Sequence, residues 1–332
     1  MRVALIGAGY FGQFHIDAWR RMEGAELVAL VDPDTSKAVE GVPHFADAVE
    51  MAEVIKPDII DIASPPTTHL ALITALAPHC KNLICQKPFC NDLAQAEQAL
   101  AAAGDSRIIV HENIRNQPWY AEAVKLVNDG AVGVPYQASF RMRPGDGQGP
   151  DAYLARQPYF QKMPKFLVHE TAIHWIDLFR AMFGEPDGVY ADLRRLNPAI
   201  AGEDAGVILL DYADGRRAIY DGNRLVDHIA EDRRRSMGDF LVEGDAGVLR
   251  VDGEGRIWLR TFGSNDEREH PFAWEARNFG GDCVYLSCAQ YLEAFRSAAP
   301  HPTEARAYLR NIRIENAVYE SAEARRRMAL SD

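Results

Sequence analysis

Apolar residues in the first third of the chain fall in short unbroken runs: Val3–Ile6, Leu27–Val31, Ile59–Ile62, Leu83–Cys85 and Ile108–Val110. Runs of that length read as buried strands. The intervals between them are long enough for helices. In the first interval Phe11, Phe14, Ala18 and Met22 recur every three or four positions, which is one apolar stripe on a helix. Strands alternating with helices predict a parallel sheet covered on both faces.

After about Gln117 the pattern changes. A helix over Trp119–Asn128 leads to a strand over Tyr136–Arg143, then to a polar stretch rich in Gly and Pro from Pro144 to Pro164, then to a helix over Glu170–Phe183. Long loops inside compact domains are usually functional or disordered. This one carries Tyr153, Arg156, Gln157, Tyr159 and Phe160, too aromatic for disorder, and reads as a substrate loop. From Val189 to Arg260 strands alternate with tight turns: Val207–Tyr212 and Ala218–Tyr220 across Ala213-Asp214-Gly215, then Phe240–Val242, and Val248–Val251 and Ile257–Leu259 across Asp252-Gly253. Asp-Gly between apolar runs signals hairpins, so a mostly antiparallel open sheet is expected. Helices over Cys283–Ala298 and Glu304–Arg327 close the chain. A length of 332 residues exceeds one ordinary core. The expected division is an α/β Rossmann domain over 1–117 and an α+β domain for substrate binding and oligomerisation over 118–332.

Composition narrows the partners. Hydrophobic content of 47% and charged content of 25% are those of a globular protein, and a net charge of -12 repels nucleic acid and anionic membranes. A small molecule is the expected partner. The 5 cysteines are odd in number and form no CxxC pair, so reduced thiols in a cytoplasmic protein are expected, with neither a disulfide framework nor a zinc site. Val3–Ile6 is too short for the apolar core of a secretion leader, and no run reaches the ~18 apolar residues of a membrane span.

Candidate chemistry begins where the first run ends. Gly7-Ala8-Gly9-Tyr10-Phe11-Gly12 is a GxGxxG between a strand and a helix. In that setting the first glycine permits a tight turn, the second admits a pyrophosphate to the backbone, and the third lets helix and strand pack closely. Asp32, twenty positions beyond Gly12 at the end of the second run, suits the adenosine ribose hydroxyls. Asp34 adds negative charge where a 2′-phosphate would sit, so NAD is favoured over NADP; Lys37, Arg20 or Arg21 binding that phosphate is the opposing reading. The turns Ala63-Ser64-Pro65-Pro66-Thr67-Thr68-His69 and Gln86-Lys87-Pro88 follow the third and fourth runs. Strand C-termini face the ligand crevice, which directs both turns at the nicotinamide half. The expected cofactor residues are therefore Gly7, Gly9, Tyr10, Phe11, Gly12, Asp32, Ser64, Pro65, His69, Gln86 and Lys87.

Together GxGxxG, Asp32, the SPPTTH turn and the Lys-Pro turn resemble the glucose-fructose oxidoreductase, inositol dehydrogenase and rhizopine-catabolism (Gfo/Idh/MocA) family, and the family's D-x-G-x-H helix is matched by Glu170-Thr171-Ala172-Ile173-His174, followed by Asp177. The resemblance spans essentially the whole chain. It implies NAD(P)-linked oxidation of a sugar, polyol or similar carbinol, with Lys87, Glu170 and His174 in the catalytic positions and a homodimer or homotetramer formed through the C-terminal sheet. Two departures stand out. Gln86 replaces the usual glutamate of Glu-Lys-Pro, which is expected to lower affinity or rate, and Glu-x-Ala replaces Asp-x-Gly.

The trio also makes chemical sense. Carbinol oxidation needs a base near neutral pH and a cation for the developing alkoxide, roles that suit a histidine and a lysine. Glu170, four positions before His174, shares its face on an α-helix and can orient it. The alternative is a structural ion pair near a helix N-terminus. Arg115, Arg156, Tyr159 and His169 are the candidates for substrate contact. His169-Glu170 and His174 superficially resemble the zinc motif HExxH, but the second histidine comes at i+5, off the first one's face, so no metal is expected. Two other functions share these residues: a lyase, hydrolase or epimerase that recycles tightly held NAD, and a dinucleotide-sensing regulator without catalysis.

Overall fold

The computed structural model describes residues 1–330. The chain divides into two compact units, Met1–Asn113 with Asp282–Ile312, and Ile114–Gly281 with Arg313–Asp332.

In the first unit β1 (Arg2–Ile6), β2 (Glu26–Val31), β3 (His44–Phe45), β4 (Ile59–Ile62), β5 (Asn82–Gln86) and β6 (Arg107–His111) form a parallel sheet in the order β3-β2-β1-β4-β5-β6. Helices α1 (Gly12–Arg21), α2 (Ala48–Ile55), α3 (His69–Leu76) and α4 (Leu93–Ala103) make the crossovers. The strand interiors are buried on both faces, as their unbroken apolar runs require. The direction of winding reverses between β1 and β4, which places the crevice of a doubly wound sheet at the ends of those strands.

The second unit opens with α5 (Pro118–Asn128), β7 (Pro135–Met142) and α6 (Ile173–Phe183). Seven further strands follow: β8 (Gly188–Arg194), β9 (Ala205–Asp211), β10 (Arg217–Asn223), β11 (Gly238–Gly244), β12 (Gly247–Val251), β13 (Ile257–Thr261) and β14 (Arg268–His270). With β7 and β15 (Met328–Ala329) they form a 9-stranded sheet, β14-β13-β12-β11-β7-β10-β9-β8-β15. Among the described residues of this sheet only the β7–β10 pairing is parallel. One face packs on α5 and α6, where Phe140 stacks on Trp175 at 4.0 Å among Tyr120, Tyr220 and Phe240. The hairpin after β12 forms as expected, but its left-handed residue is Gly255 (φ +78°) rather than Gly253, because Asp252 N–H bonds the Arg256 carbonyl across a longer turn.

Two boundaries differ from the sequence expectation. The chain returns to the first unit over Asp282–Ile312, bringing α7 (Cys283–Ser297) and the start of α8 (Ala305–Ala324) there instead of leaving everything after 117 in the second. The reason is an exposed strand edge: β6 ends the sheet, Val110 N–H donates to the Thr303 carbonyl and the Val110 carbonyl accepts from the Thr303 hydroxyl, while Ile109 and Glu304 form an antiparallel bridge. Arg21 also grips Asp282 at 2.7 and 2.9 Å. The second difference is the helix expected over Glu170–Phe183. Leu167–Ala172 is a π-helical turn, opened by Glu203, whose carboxylate accepts from Phe166 and Val168 N–H at 3.1 and 3.0 Å. Such turns are frequent at functional sites.

Candidate active site

Gly7 stands at φ +96°, and a Cβ there would lie 2.8–2.9 Å from the backbone of Ala63 and Ser64 at the end of β4. On Gly12 a Cβ would strike the Gly7 carbonyl, whereas on Gly9 it would meet nothing within 4 Å. The first and third glycines are thus needed by the fold, and the second leaves room for a ligand. α2 and α4 are capped by Asp47 and Asp92, but α1 has neither a side-chain cap nor an acidic residue in its first turn. Its positive end is left for an anion. These features fit a dinucleotide pyrophosphate.

Asp32 lies at the edge of this cradle, 5% exposed, its carboxylate accepting from Ala8 N–H (2.9 Å) and Asp34 N–H (3.0 Å). Burial pushes the carboxyl up, but those N–H bonds and the Lys37 ammonium, 3.2 Å away, hold it below the usual carboxylate range. Arg21 is engaged by Asp17 and Asp282. Tyr10 is half exposed and meets Phe14 edge-on; Phe11 packs against Phe14 and His15.

The two rim turns are held from beneath. Ser64 bonds Thr68 (2.7 Å), and Pro65 is exposed. His69 is fully buried, its ring nitrogens 2.9 Å from the Ser64 carbonyl and 3.0 Å from the Phe89 carbonyl, so it clamps one turn to the other. The Lys87–Pro88 peptide bond is cis. Gln86 accepts from Lys87 N–H (2.7 Å) through its amide oxygen, while its amide nitrogen lies 3.2 Å from His15 Nε2. Asp61 accepts from the other His15 nitrogen (2.7 Å) and from Trp19 (2.7 Å). With Nδ1–H donated to Asp61, His15 offers Nε2 as an acceptor, and Gln86 has the proton to fill it. An ionised glutamate has none. His15, His111 and Cys288 are, among the described residues, the group of three donors near enough to share an ion; His15 is already bonded at both nitrogens.

In the second unit Glu170 lies in the π turn and His174, 5% exposed, in the first turn of α6. The face argument made for an α-helix therefore does not carry over, for i, i+4 or for i, i+5. His169 is instead paired with Glu315 (2.7 Å). Arg115 pairs with Asp177 (3.0 Å) and Arg156 with Asp146 (3.4 Å). Tyr159, half exposed as a residue, accepts from the Gln157 amide (3.1 Å), and partial burial followed by the negative charge of Glu170 pushes its hydroxyl up to about 12. That segment is ordered by a small core of Ala152, Tyr153, Phe160, Phe166 and Ile200, and Asn197 donates to the carbonyls of Gly147 and Gly149. Sequence reasoning missed Arg224, which reaches Asp146, Tyr153 and Thr171. A lone arginine after a strand carries no signal.

Residues 1–114 match the oxidoreductase family NAD-binding Rossmann fold and residues 120–250 the GFO/IDH/MocA C-terminal domain. The chain is 30% identical to a D-apiose dehydrogenase from Paraburkholderia graminis over 98% of its own length and 89% of that protein's. It is 28% identical to an inositol 2-dehydrogenase from Rhizobium meliloti over 68% and 69%. Among solved structures it resembles an oxidoreductase from Agrobacterium radiobacter in complex with NAD+, L-tartaric acid and magnesium, with 26% identity, 99% and 98% coverage and a TM-score of 0.86. Levoglucosan dehydrogenase with NADH and levoglucosan, 18% identical with a TM-score of 0.83 and 100% coverage of both chains, shares the fold.

Proposed function

This chain belongs to the GFO/IDH/MocA oxidoreductase family and is a nicotinamide-dependent dehydrogenase of the sugar and polyol class; on that premise we propose that it oxidises a secondary alcohol of such a substrate with NAD, using Lys87, Glu170 and His174. The observation that carries the cofactor reading is the open Gly9 backbone before an uncapped α1, with the ionised Asp32 beside it.

Gly7, Gly9 and the first turn of α1 would hold the pyrophosphate, Asp32 the adenosine ribose, and the turns clamped by His69 the nicotinamide half. The nicotinamide, when bound there, would supply the hydride acceptor. His174 takes the hydroxyl proton, and Lys87 donates to the oxygen as its charge grows. Glu170 fixes the charge pattern around the imidazole. Tyr159 and Arg156 supply substrate contacts from the 144–164 segment; Arg115, paired with Asp177, and His169, hydrogen-bonded to Glu315, act as supports.

The second face of the large sheet carries Tyr190, Leu209, Ile219, Leu241 and Trp258 on adjacent strands, with Ser139 and Arg250 completing the row. This apolar row supports association of identical chains through that face, and light scattering showing a monomer at all concentrations would exclude it. A panel of D-apiose, myo-inositol, levoglucosan and sugar acids with NAD, followed at the NADH absorbance and separately for product, tests the activity. NADH formed with one of them is the expected result. Product without NADH would point to internal cofactor recycling, and cofactor binding without turnover on any compound to a sensing role.

A further inference from the structure

Arg224 directly follows β10, and its backbone is fixed on both sides: its N–H donates to Asp204 (3.0 Å), and its carbonyl accepts from Gly147 (2.9 Å) in the 144–164 segment. The side chain, 4% exposed, turns into a cage of three rings, with Phe166, Tyr153 and Phe160 centred 4.6, 5.1 and 5.8 Å from the guanidinium carbon. An arginine buried so deeply must satisfy its donors within the protein. Nε and Nη2 donate to the two oxygens of Asp146 (3.2 and 3.0 Å), Nε also to the Tyr153 hydroxyl (2.8 Å), and Nη1 to Thr171 Oγ1 (2.7 Å).

The direction of the last bond is forced. Arginine only donates, so the Thr171 oxygen accepts from it, and the threonine proton is left for Glu170 Oε2, 2.5 Å away. Glu170 Oε2 itself lies 3.7 Å from Nη1. Tyr153 supplies an independent sign of tension: it sits at φ +71°, a left-handed conformation that a bulky side chain adopts only when its surroundings hold it there. Its hydroxyl bonds Arg224 and Asp146 (3.1 Å). Burial works against the guanidinium charge, but the charges of Asp146, Tyr153 and Glu170 more than reverse that and raise its pKa above the usual value.

We propose that Arg224 is a positioning residue that couples the 144–164 segment to Glu170: one fork-shaped cation holds the loop through Asp146 and Tyr153 and sets the carboxylate through Thr171. It rests on the role proposed for Glu170 above. Lysine cannot replace it, because a single ammonium does not span acceptors on three sides.

Hydrogen exchange and kinetics test the coupling without requiring the substrate to be known in advance. Arg224→Lys is expected to speed amide exchange at least tenfold in both 145–162 and 167–172. Asp146→Asn should act on 145–162 and Thr171→Val on 167–172, with NADH affinity unchanged in all three. On whichever of D-apiose, myo-inositol or levoglucosan is oxidised, Thr171→Val should lower kcat about tenfold with KM nearly constant, Asp146→Asn should raise KM, and Arg224→Lys should do both. Arg224→Lys exchange confined to one segment, or Thr171→Val with full kcat while Glu170→Gln is impaired, overturns the coupling alone. Full kcat in Glu170→Gln overturns it together with the role of Glu170. Should Arg224→Lys fail to fold, the Asp146→Asn and Thr171→Val pair still decides, since loss of the KM-against-kcat split contradicts the proposal.

Discussion

Replacing Asp32 by asparagine removes one charge from the edge of the dinucleotide cradle at constant side-chain size, though it forfeits one of two N–H bonds because Ala8 and Asp34 donate to different oxygens. In the native protein the carboxylate is 5% exposed and held by two N–H groups, so it cannot swing away from a 2′-phosphate. Unit charges about 5 Å apart at an effective dielectric of about 20 repel by about 3 kcal/mol, and a phosphate carries nearly two. The Lys37 ammonium at 3.2 Å offsets part of this, discounted because its side chain is 37% exposed, and solvent screens more. The net penalty on NADPH is about 2–3 kcal/mol, roughly 30- to 150-fold in affinity. Fluorescence titrations with NADH and NADPH should give that ratio in the native enzyme and one within about threefold of unity in Asp32→Asn. The pH dependence supplies the sign. Because the folded carboxyl is held below its usual range, its charge, and any stability that comes from its bonds, is complete above about pH 4 and is lost as pH falls through the lowered value. The preference should halve on a logarithmic scale near pH ~6, as the phosphate takes up a proton, and the remainder should persist to below about pH 4. Equal native affinities, or an unchanged ratio in Asp32→Asn, would refute the reasoning and favour Lys37 as a phosphate ligand.

Three further outcomes are expected. His174→Ala should cost about 10²–10⁴ in kcat and Lys87→Met about 10²–10³, each with little change in NAD affinity; near-native turnover in His174→Ala would return it to a structural role. Gly9→Ala should weaken NADH binding about tenfold at unchanged Tm, because its Cβ meets only open space, whereas Gly12→Ala should destabilise by about 1–3 kcal/mol against the Gly7 carbonyl; thermal melts with and without NADH separate the two. All five cysteines are buried, and burial pushes the Cys90 and Cys283 thiols up to about 12, so a thiol reagent at pH 8 should modify the native protein slowly and the denatured chain fully. Rapid reaction of native thiols would contradict that burial.

The strands of the nucleotide unit, the tight packing at Gly7 and Gly12, and the hairpins of the second sheet were legible along the chain because each depends on a local pattern: unbroken apolar runs, a strand-turn-helix junction, a left-handed glycine between strands. So was the order in the 144–164 segment, where Tyr153 and Phe160 are buried in a small core. What only the tertiary structure decided involves partners distant in sequence. Asp282–Ile312 returns to the first unit because β6 leaves an edge to be covered. Gln86 fits where the family has a glutamate because His15, held by Asp61, presents a lone pair to it. The π turn at Glu170 depends on Glu203 capping its start, which shifts the face an α-helical reading assigned. Arg224, Asp146 and Thr171 are separated by long stretches of chain, and no periodicity or motif links them. Only the packing of three rings around a guanidinium, and the need to satisfy every donor buried with it, brings them to one point.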